Sequence, residues 1–369
     1  MNIINNNKKF LILYGILIII GIIGIVFTYN NYSYYKDTIV RIIEIDNKYV
    51  STDVSNYGYK DEIYKQTIKA KVLNGADKNK IVNIENEYHK GEAYDQKYKK
   101  GDELFVSLYK TNKQVDRATI DGYKRDKYIV ILIVFFVLVI VLIGKIKGFL
   151  SIISLFINIV VFSLIVRINA ISSANLVLLC FIGAIIFSTI SLFLVSGVNK
   201  KSFAAVVSSI LGIIFVTIIS FIVIKLTNYE GIRFEQMELL TRPYEGIFIS
   251  EILLGGLGAI MDISISISSS LNEMIEKNKK ISVKTLKTSG FNIGKDIMST
   301  MINVLFFTYL CTGIVNLTIY FRNGISIGSL LREYISLEMT RALTGAIGIV
   351  ITIPIAIYIT LFLYKRRVK

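Results

Sequence analysis

The sequence predicts an α-helical polytopic membrane protein with about eight transmembrane helices and a small all-β external domain between the first two. Its 369 residues are 53% hydrophobic and only 19% charged, and a mean hydropathy of +0.58 exceeds that of ordinary soluble domains. The apolar residues form separate runs of about 17–25 residues, the length that crosses about 30 Å of hydrocarbon as helix. One long polar segment, residues 29–127, follows the first run.

The first apolar run, residues 10–27, follows Lys8 and Lys9 and leads into a polar tyrosine- and asparagine-rich stretch. A secretory signal peptide has a shorter apolar core and ends at small residues of the A-x-A type. Residues 1–28 are therefore predicted to form a cytoplasmic N-terminus and an uncleaved signal-anchor helix.

Residues 29–127 mix charges of both signs and contain five short strand-like runs separated by turn residues. The runs are Thr38–Ile45, Gln66–Leu73, Lys80–Ile84, Glu103–Tyr109 and Gln114–Ile120. Five short strands in about a hundred residues are typical of a small OB-like barrel. We expect a folded spacer or sensor domain, because the stacking aromatics of a nucleic-acid binder cannot be placed on these strands.

Residues 128–369 are predicted to form a seven-helix transmembrane domain with a cytoplasmic C-terminus. Its apolar runs are 128–144, 149–166, 174–195, 203–224, 246–271, 297–320 and 341–363. One set of alternate loops, together with both termini, carries 16 Lys and Arg residues, and the short loops of the other side, without the segment 29–127, carry 7. The positive-inside rule then places both termini in the cytoplasm and residues 29–127 outside. The loop 226–245 has the pattern of a short amphipathic helix ended by Pro243.

The composition argues against most catalytic and metal-dependent classes. His89 is the only histidine, Cys180 and Cys311 fall within apolar runs, and no phosphate-binding loop or nucleophile elbow is present. We predict no enzyme activity, no cofactor and no metal site.

The net charge of +15 is explained by topology rather than by nucleic acid, so no nucleic-acid partner is expected. The basic connection 272–296 is predicted to lie as a surface helix on anionic lipid.

The sixth span carries an unusual polar stripe. The run ISISIS at residues 263–268 alternates like a strand, but an isolated strand cannot cross lipid, so the helical interpretation is favoured. On a helix the following residues, spaced by three or four, share one face: Glu251, Gly255, Gly258, Asp262, Ser266, Ser269 and Glu273. Gly255 and Gly258 would allow close helix packing. Asp262 should face the bundle or a cavity, either as a proton- or cation-coupling carboxylate or as an interhelical hydrogen-bonding group.

The last two spans repeat the pattern. The seventh has Asn292, Asp296, Ser299 and Asn303 on one face, and Asp296 is expected near the cytoplasmic end of its helix. The eighth has Glu338, Arg341, Gly345, Gly348 and Thr352. We predict that Ser266, Ser269, Glu273, Asn292, Asp296 and Asn303 accompany Asp262 in a shared polar centre. Gly345 and Gly348 are predicted to pack helices, and Glu338 and Arg341 to pair at the outer mouth.

These segments resemble the YibE/YibF family of bacterial multi-span membrane proteins. The resemblance rests on GAIMD at 258–262, SISSSLNE at 266–273, SGFNIGKDIM at 289–298 and RALTGAIG at 341–348. It implies a multi-pass protein of the bacterial plasma membrane without an assigned substrate. The order of one span, an external domain and a bundle with a G-x-x-x-D helix is more distantly similar to the proton-driven RND and SecD/SecF type.

Two hypotheses of function follow from these features. One is an ion-coupled transporter or exporter that uses Asp262. The other is a non-transporting scaffold or sensor whose external domain binds a partner. Association with a second copy or with another membrane protein stays open in both.

Overall fold

The computed structural model describes residues 2–54, 58, 60–92, 95–111, 114–172, 174–226, 234, 244–333 and 335–364. Contacts between residues divide the chain into two compact units, Met1–Ile146 and Lys147–Lys369. Most of the amphipathic helix expected over 226–245 lies outside the described residues.

The first unit contains helix α1 (Asn2–Thr28), a short 3₁₀ helix (Tyr32–Tyr34), five strands and the beginning of helix α2 (Asp126–Ser172). The strands are β1 (Thr38–Val54), β2 (Lys60–Val72), β3 (Ile81–His89), β4 (Glu103–Thr111) and β5 (Gln114–Tyr123). They close into a barrel in the order β1-β2-β3-β5-β4. All neighbours are antiparallel except β3 and β5. The predicted five-stranded OB-like barrel is confirmed.

The first two strands are longer than the sequence predicted. Strand β1 has 17 residues and β2 has 13, and their pairing continues out to Val54 and Lys60. The outer part of β1 is exposed over its length and has few large apolar residues, so the hydrophobic alternation that marks a half-buried strand is absent there.

A buried cation joins the barrel to both flanking helices. Lys124 is completely buried. Its Nζ donates to the backbone oxygen of Thr28, at the end of α1, over 3.1 Å, and to Asp126, at the start of α2, over 2.9 Å. It also lies 3.7 Å from Glu103 in β4. The ammonium group therefore has partners on three elements.

Tyrosine and arginine side chains complete this cluster. Tyr32 donates to Glu103 over 2.7 Å, and Arg41 forms an ion pair with the same carboxylate over 2.7 Å. Burial, and the hydrogen bond to Glu103, raise the pKa of Tyr32 to about 12. Tyr35 donates to Asp126 over 3.0 Å. The Lys124 ammonium group and the carboxylates of Glu103 and Asp126 are consequently all paired, as buried charges require.

The second unit is helical. It contains the remainder of α2 and the helices α3 (Leu176–Ser196), α4 (Lys200–Leu226), α5 (Tyr244–Lys277), α6 (Val283–Thr312), α7 (Ile314–Arg322), α8 (Ile327–Glu333) and α9 (Ser336–Tyr364). Helices α5 and α9 lie at its centre, since α5 contacts α3, α4, α6 and α9, and α9 contacts α4, α5 and α6. The run ISISIS lies within α5, which confirms the helical interpretation.

Six helices of the described residues are long and apolar enough to cross a membrane, or seven if α6 and α7 form one bent span. Eight spans were predicted. Two of them, 128–144 and 149–166, lie within α2, whose backbone leaves the helical region at Lys145 with φ 50° and ψ −130°. The predicted seventh span is not one straight helix, because α6 and α7 differ in direction by 56° around Gly313.

The basic connection is much shorter than predicted. Helix α5 continues to Lys277, and α6 already begins at Val283, where the Ser282 side chain accepts a hydrogen bond from the Thr285 amide. This capping interaction starts the helix. Asp296 therefore lies in the middle of α6 rather than near its end. The error arose because the lysines between 284 and 295 interrupt hydrophobicity without interrupting the helix.

Candidate functional site

Among the described residues, the predicted stripe of α5 lies on the less covered side of the helix. Ser266 and Ser269 are half-buried, and the other five positions, Glu251, Gly255, Gly258, Asp262 and Glu273, are exposed. The buried residues Ile260, Ile263 and Ile267 lie about 100–160° around the axis from Asp262, given about 100° per residue. Asp262 does not face the packed core, contrary to the expectation, because the apolar side of α5 fills that position.

Asp262 has no polar partner in the described part of the chain. No hydrogen bond or ion pair reaches its carboxylate from the residues between Tyr244 and Tyr364 that the structure describes. It lies about 27 Å from Tyr244 and about 22 Å from Lys277 along the helix, at 1.5 Å per residue. The carboxylate is thus unpaired near the middle of a long apolar helix.

Asp262 lies beside the contact between α5 and α6. It is within about 20° of Gly255 around the axis of α5. A Cβ atom at Gly255 would overlap the hydroxyl of Tyr309 in α6, so α6 runs along this side of α5. The aspartate is two helical turns from that contact, at an open margin between the two helices.

The polar residues of α6 do not join Asp262. Asn292, Asp296 and Asn303 are exposed. They lie about 160–180° around α6 from Gly294, which packs against Ile353 of α9. Among the described residues, no hydrogen bond links these three side chains to Asp262. The shared polar centre predicted from the sequence is therefore not assembled within one chain.

A second group of charges does assemble, between α5 and α9. Arg341 is buried and donates to Glu251 of α5 and to Glu338, one turn earlier in α9. Its guanidinium carbon lies 5.2 Å from the ring centre of Phe248. Glu338 and Arg341 were expected to pair, and they do. The sequence did not indicate Glu251 as the second partner, because it is 90 positions away.

This charged group is not fully satisfied. Among the residues that the structure describes, neither the buried Nε atom of Arg341 nor the hydroxyl of Ser336 has a hydrogen-bond partner. The side chain of Glu251 remains 43% exposed, whereas that of Arg341 is only 10% exposed. The ion pair therefore links the buried Arg341 to Glu251, which is partly exposed and lies on the same stripe of α5 as Asp262.

The glycines have different surroundings. Gly256 meets the backbone of Gly345 where α5 crosses α9, Leu305 packs against Gly345, and Val216 packs against Gly348. At Gly258 no atom of the described residues lies within 4 Å of a Cβ position, so these residues form no close helix contact there.

Hydroxyl groups inside the bundle were missed by the sequence reasoning. Ser264 and Ser268 of α5 are completely buried. Ser268 and Thr360 of α9 are hydrogen-bonded over 2.9 Å, while the hydroxyl of Ser264 has no partner within the described ranges. The four-residue spacing of Ser264 and Ser268, which places both on one face of α5, was the signal in the sequence.

No group of three or more His, Cys, Asp or Glu side chains that could hold a metal ion occurs in the described ranges. His89 is hydrogen-bonded to Asp95 at the end of β3, and this bond raises the pKa of the imidazole above its usual range.

Comparison with known proteins identifies a family. Residues 132–366 match the family described as YibE/F-like protein, and residues 33–123 match the YibE/F family N-terminal domain. Together these matches cover nearly the whole chain, which confirms the resemblance inferred from its motifs. No curated protein and no solved structure matches.

Proposed function

This chain belongs to the YibE/F family, and we propose that it is an ion-coupled membrane transporter or exporter that uses Asp262 to exchange a proton or a cation. The observation that carries the proposal is the unpaired carboxylate near the middle of α5, on a stripe of small and hydroxyl-bearing residues. The apolar helices and the family are consistent with a membrane protein.

The proposed topology has eight spans in a bacterial plasma membrane. The break at Lys145 supports a division of α2 into two spans, with Lys145 and Lys147 at the cytoplasmic surface. The excess of Lys and Arg on one set of loops supports cytoplasmic termini and an external barrel.

In this topology Asp262 lies deep in the bilayer. A permanently ionised carboxylate there costs at least about 2.5–3.5 kcal/mol, and no cation of the described residues forms an ion pair with it to offset that cost. A neutral, protonated carboxyl group facing lipid and an ionised one facing water would be two alternative states of this residue. A group that can change between two such states can couple ion movement to the motion of α5 and α6.

The Arg341 group supplies a second element of the proposal. Glu251 lies three helical turns from Asp262 on the same side of α5. A change in its contact with Arg341 would shift α5 relative to α9, because the guanidinium binds both helices. Ion exchange at Asp262 and the rearrangement of these charges would therefore act through one helix.

Covalent labelling by a hydrophobic carbodiimide tests the titration of Asp262 without knowledge of the substrate. Such reagents react with protonated carboxyl groups in apolar surroundings. We expect an adduct on the peptide that contains Asp262, less of it as the pH rises, and none in Asp262→Asn. Glu273→Gln, which changes an exposed carboxylate of the same stripe, should leave labelling intact. Absence of a wild-type adduct would count against titration.

Flux through proteoliposomes tests the coupling. Proton or sodium gradients should drive ion movement in the wild type and in Glu273→Gln but not in Asp262→Asn. Equal fluxes in the wild type and Asp262→Asn would remove the transport proposal.

A non-transporting scaffold or sensor is the second candidate. It is favoured by the Lys124 cluster, which joins the barrel to the ends of both α1 and α2. A cellular phenotype that survives Asp262→Asn but is lost when the barrel surface is altered would support this function instead.

A further inference from the structure

A tyrosine-lined cavity lies where the barrel meets the start of α2, within the first unit. Its volume is about 580 Å³, inside the range of about 300–1,000 Å³ that is usual for small-molecule sites.

Three tyrosines form one wall of this cavity. The rings of Tyr98 and Tyr123 are nearly parallel, with centres 6.5 Å apart, and the rings of Tyr123 and Tyr128 are 6.4 Å apart. Burial raises the pKa of both Tyr98 and Tyr123, so these phenols remain neutral hydrogen-bond donors. Such rings offer apolar faces and polar tips at one site.

The wall is held in place by the barrel interior. Gln66 is completely buried. Its side chain accepts from the amide of Tyr98 over 3.0 Å and donates to the carbonyl oxygen of the same residue over 3.0 Å. The cavity is thus built from an anchored segment.

The polar rim is positively charged. Lys97, Lys99 and Arg125 contribute three cations, and Glu92 and Asp102 two anions. The Asp102 carboxylate already accepts from Tyr123 over 2.9 Å and from the Lys99 amide over 2.7 Å. Within the described residues, neither Lys99 nor Arg125 forms an ion pair. The cations available to a ligand therefore exceed the free anions.

The remaining side is apolar and open. Ile129 and Leu132 are one turn apart on α2, and their side chains are 53% and 67% exposed. An acyl chain could lie along them while its polar head remained at the cationic rim.

We propose that this cavity binds the head of an anionic amphiphile, a phosphate-bearing lipid, with the lipid chain along the first turns of α2. The inference shares with the proposed function only the insertion of α2 into a bilayer, and it does not depend on Asp262.

The absence of tryptophan from the chain makes a specific test practical. Tyr128→Trp places the only tryptophan in the cavity, and Phe27→Trp places it on the exposed surface of α1 as the matched control. Each full-length variant is reconstituted in phosphatidylcholine, and quenching by acyl-brominated phosphatidylglycerol is compared with quenching by brominated phosphatidylcholine. We expect the anionic lipid to be favoured about tenfold at Tyr128→Trp and hardly at all at Phe27→Trp.

Further substitutions identify the groups responsible. Arg125→Gln with Lys99→Gln, added to Tyr128→Trp, should abolish the preference, whereas Lys71→Gln on the exposed barrel surface should not. Equal quenching by both lipids at Tyr128→Trp, or a preference unaffected by the double substitution, would overturn the proposal. So would loss of the preference in millimolar inorganic phosphate, since the ligand would then be the free anion. Quenching at Phe27→Trp reports membrane insertion separately.

Discussion

Lys124 and Asp262 are two charged residues with opposite surroundings. Lys124 is completely buried and has partners on α1, α2 and β4. Asp262 is exposed on α5 and has no polar partner among the described residues. A charge surrounded by fixed partners keeps one protonation state and one geometry, whereas an unpaired carboxylate can change both. Lys124 therefore has a structural role, and Asp262 is available for chemistry.

The largest expected effect comes from removal of the structural cation. Lys124→Met should destabilise the barrel by about 3–5 kcal/mol, because breaking a buried ion pair leaves charges uncompensated. Asp126 and Glu103 would lose their shared partner. Hydrogen exchange of the barrel amides in the full-length protein measures the loss. Lys71→Met, on the exposed barrel surface, is the control. Equal protection of the barrel amides in the two variants would show that the cluster does not stabilise the barrel.

A smaller loss of stability is expected from a glycine-to-alanine change on the packed side of the central helices than from Lys124→Met, and none on the open side. Gly348→Ala should cost about 1–3 kcal/mol through overpacking, since the added methyl overlaps Val216, whose branched side chain has little freedom. Gly258→Ala should be neutral or up to about 1 kcal/mol stabilising, because alanine favours helix and nothing lies within 4 Å. Thermal unfolding followed by circular dichroism in detergent compares the two.

The reverse order would contradict this packing. If Gly258→Ala destabilised the protein more than Gly348→Ala, the open side of α5 would be a packed interface, and Asp262 would lie within it.

The smallest effect on stability is expected at Asp262 itself. Asp262→Asn should change the free energy of unfolding by no more than about 0.5 kcal/mol, the usual range for positions without specific contacts. Thermal unfolding followed by circular dichroism measures the change, and Lys124→Met serves as the variant for which a large loss is expected. A loss of several kcal/mol would mean that Asp262 holds the fold together, and its unpaired state would no longer distinguish it from Lys124.

The local pattern of the sequence was enough for the type and order of the main elements, but not for all of their bounds. Long apolar runs predicted the long helices, and alternation with turn residues predicted five strands, because both depend on neighbours a few residues apart. Glu338 and Arg341 could be paired for the same reason, since they lie one helical turn apart. The GAIMD and SGFNIGKDIM motifs indicated the family.

The tertiary structure alone decided which faces are covered and which distant groups meet. Periodicity showed that Asp262 and Glu251 share one side of α5, but it could not show that α4 and α9 pack on the other side. Arg341 meets Glu251 across 90 positions, and Lys124 meets Thr28 across 96. Burial and pairing of a charge depend on elements far along the chain, so Lys124 is a buried cation with fixed partners, whereas Asp262 is an exposed carboxylate without a polar partner among the described residues.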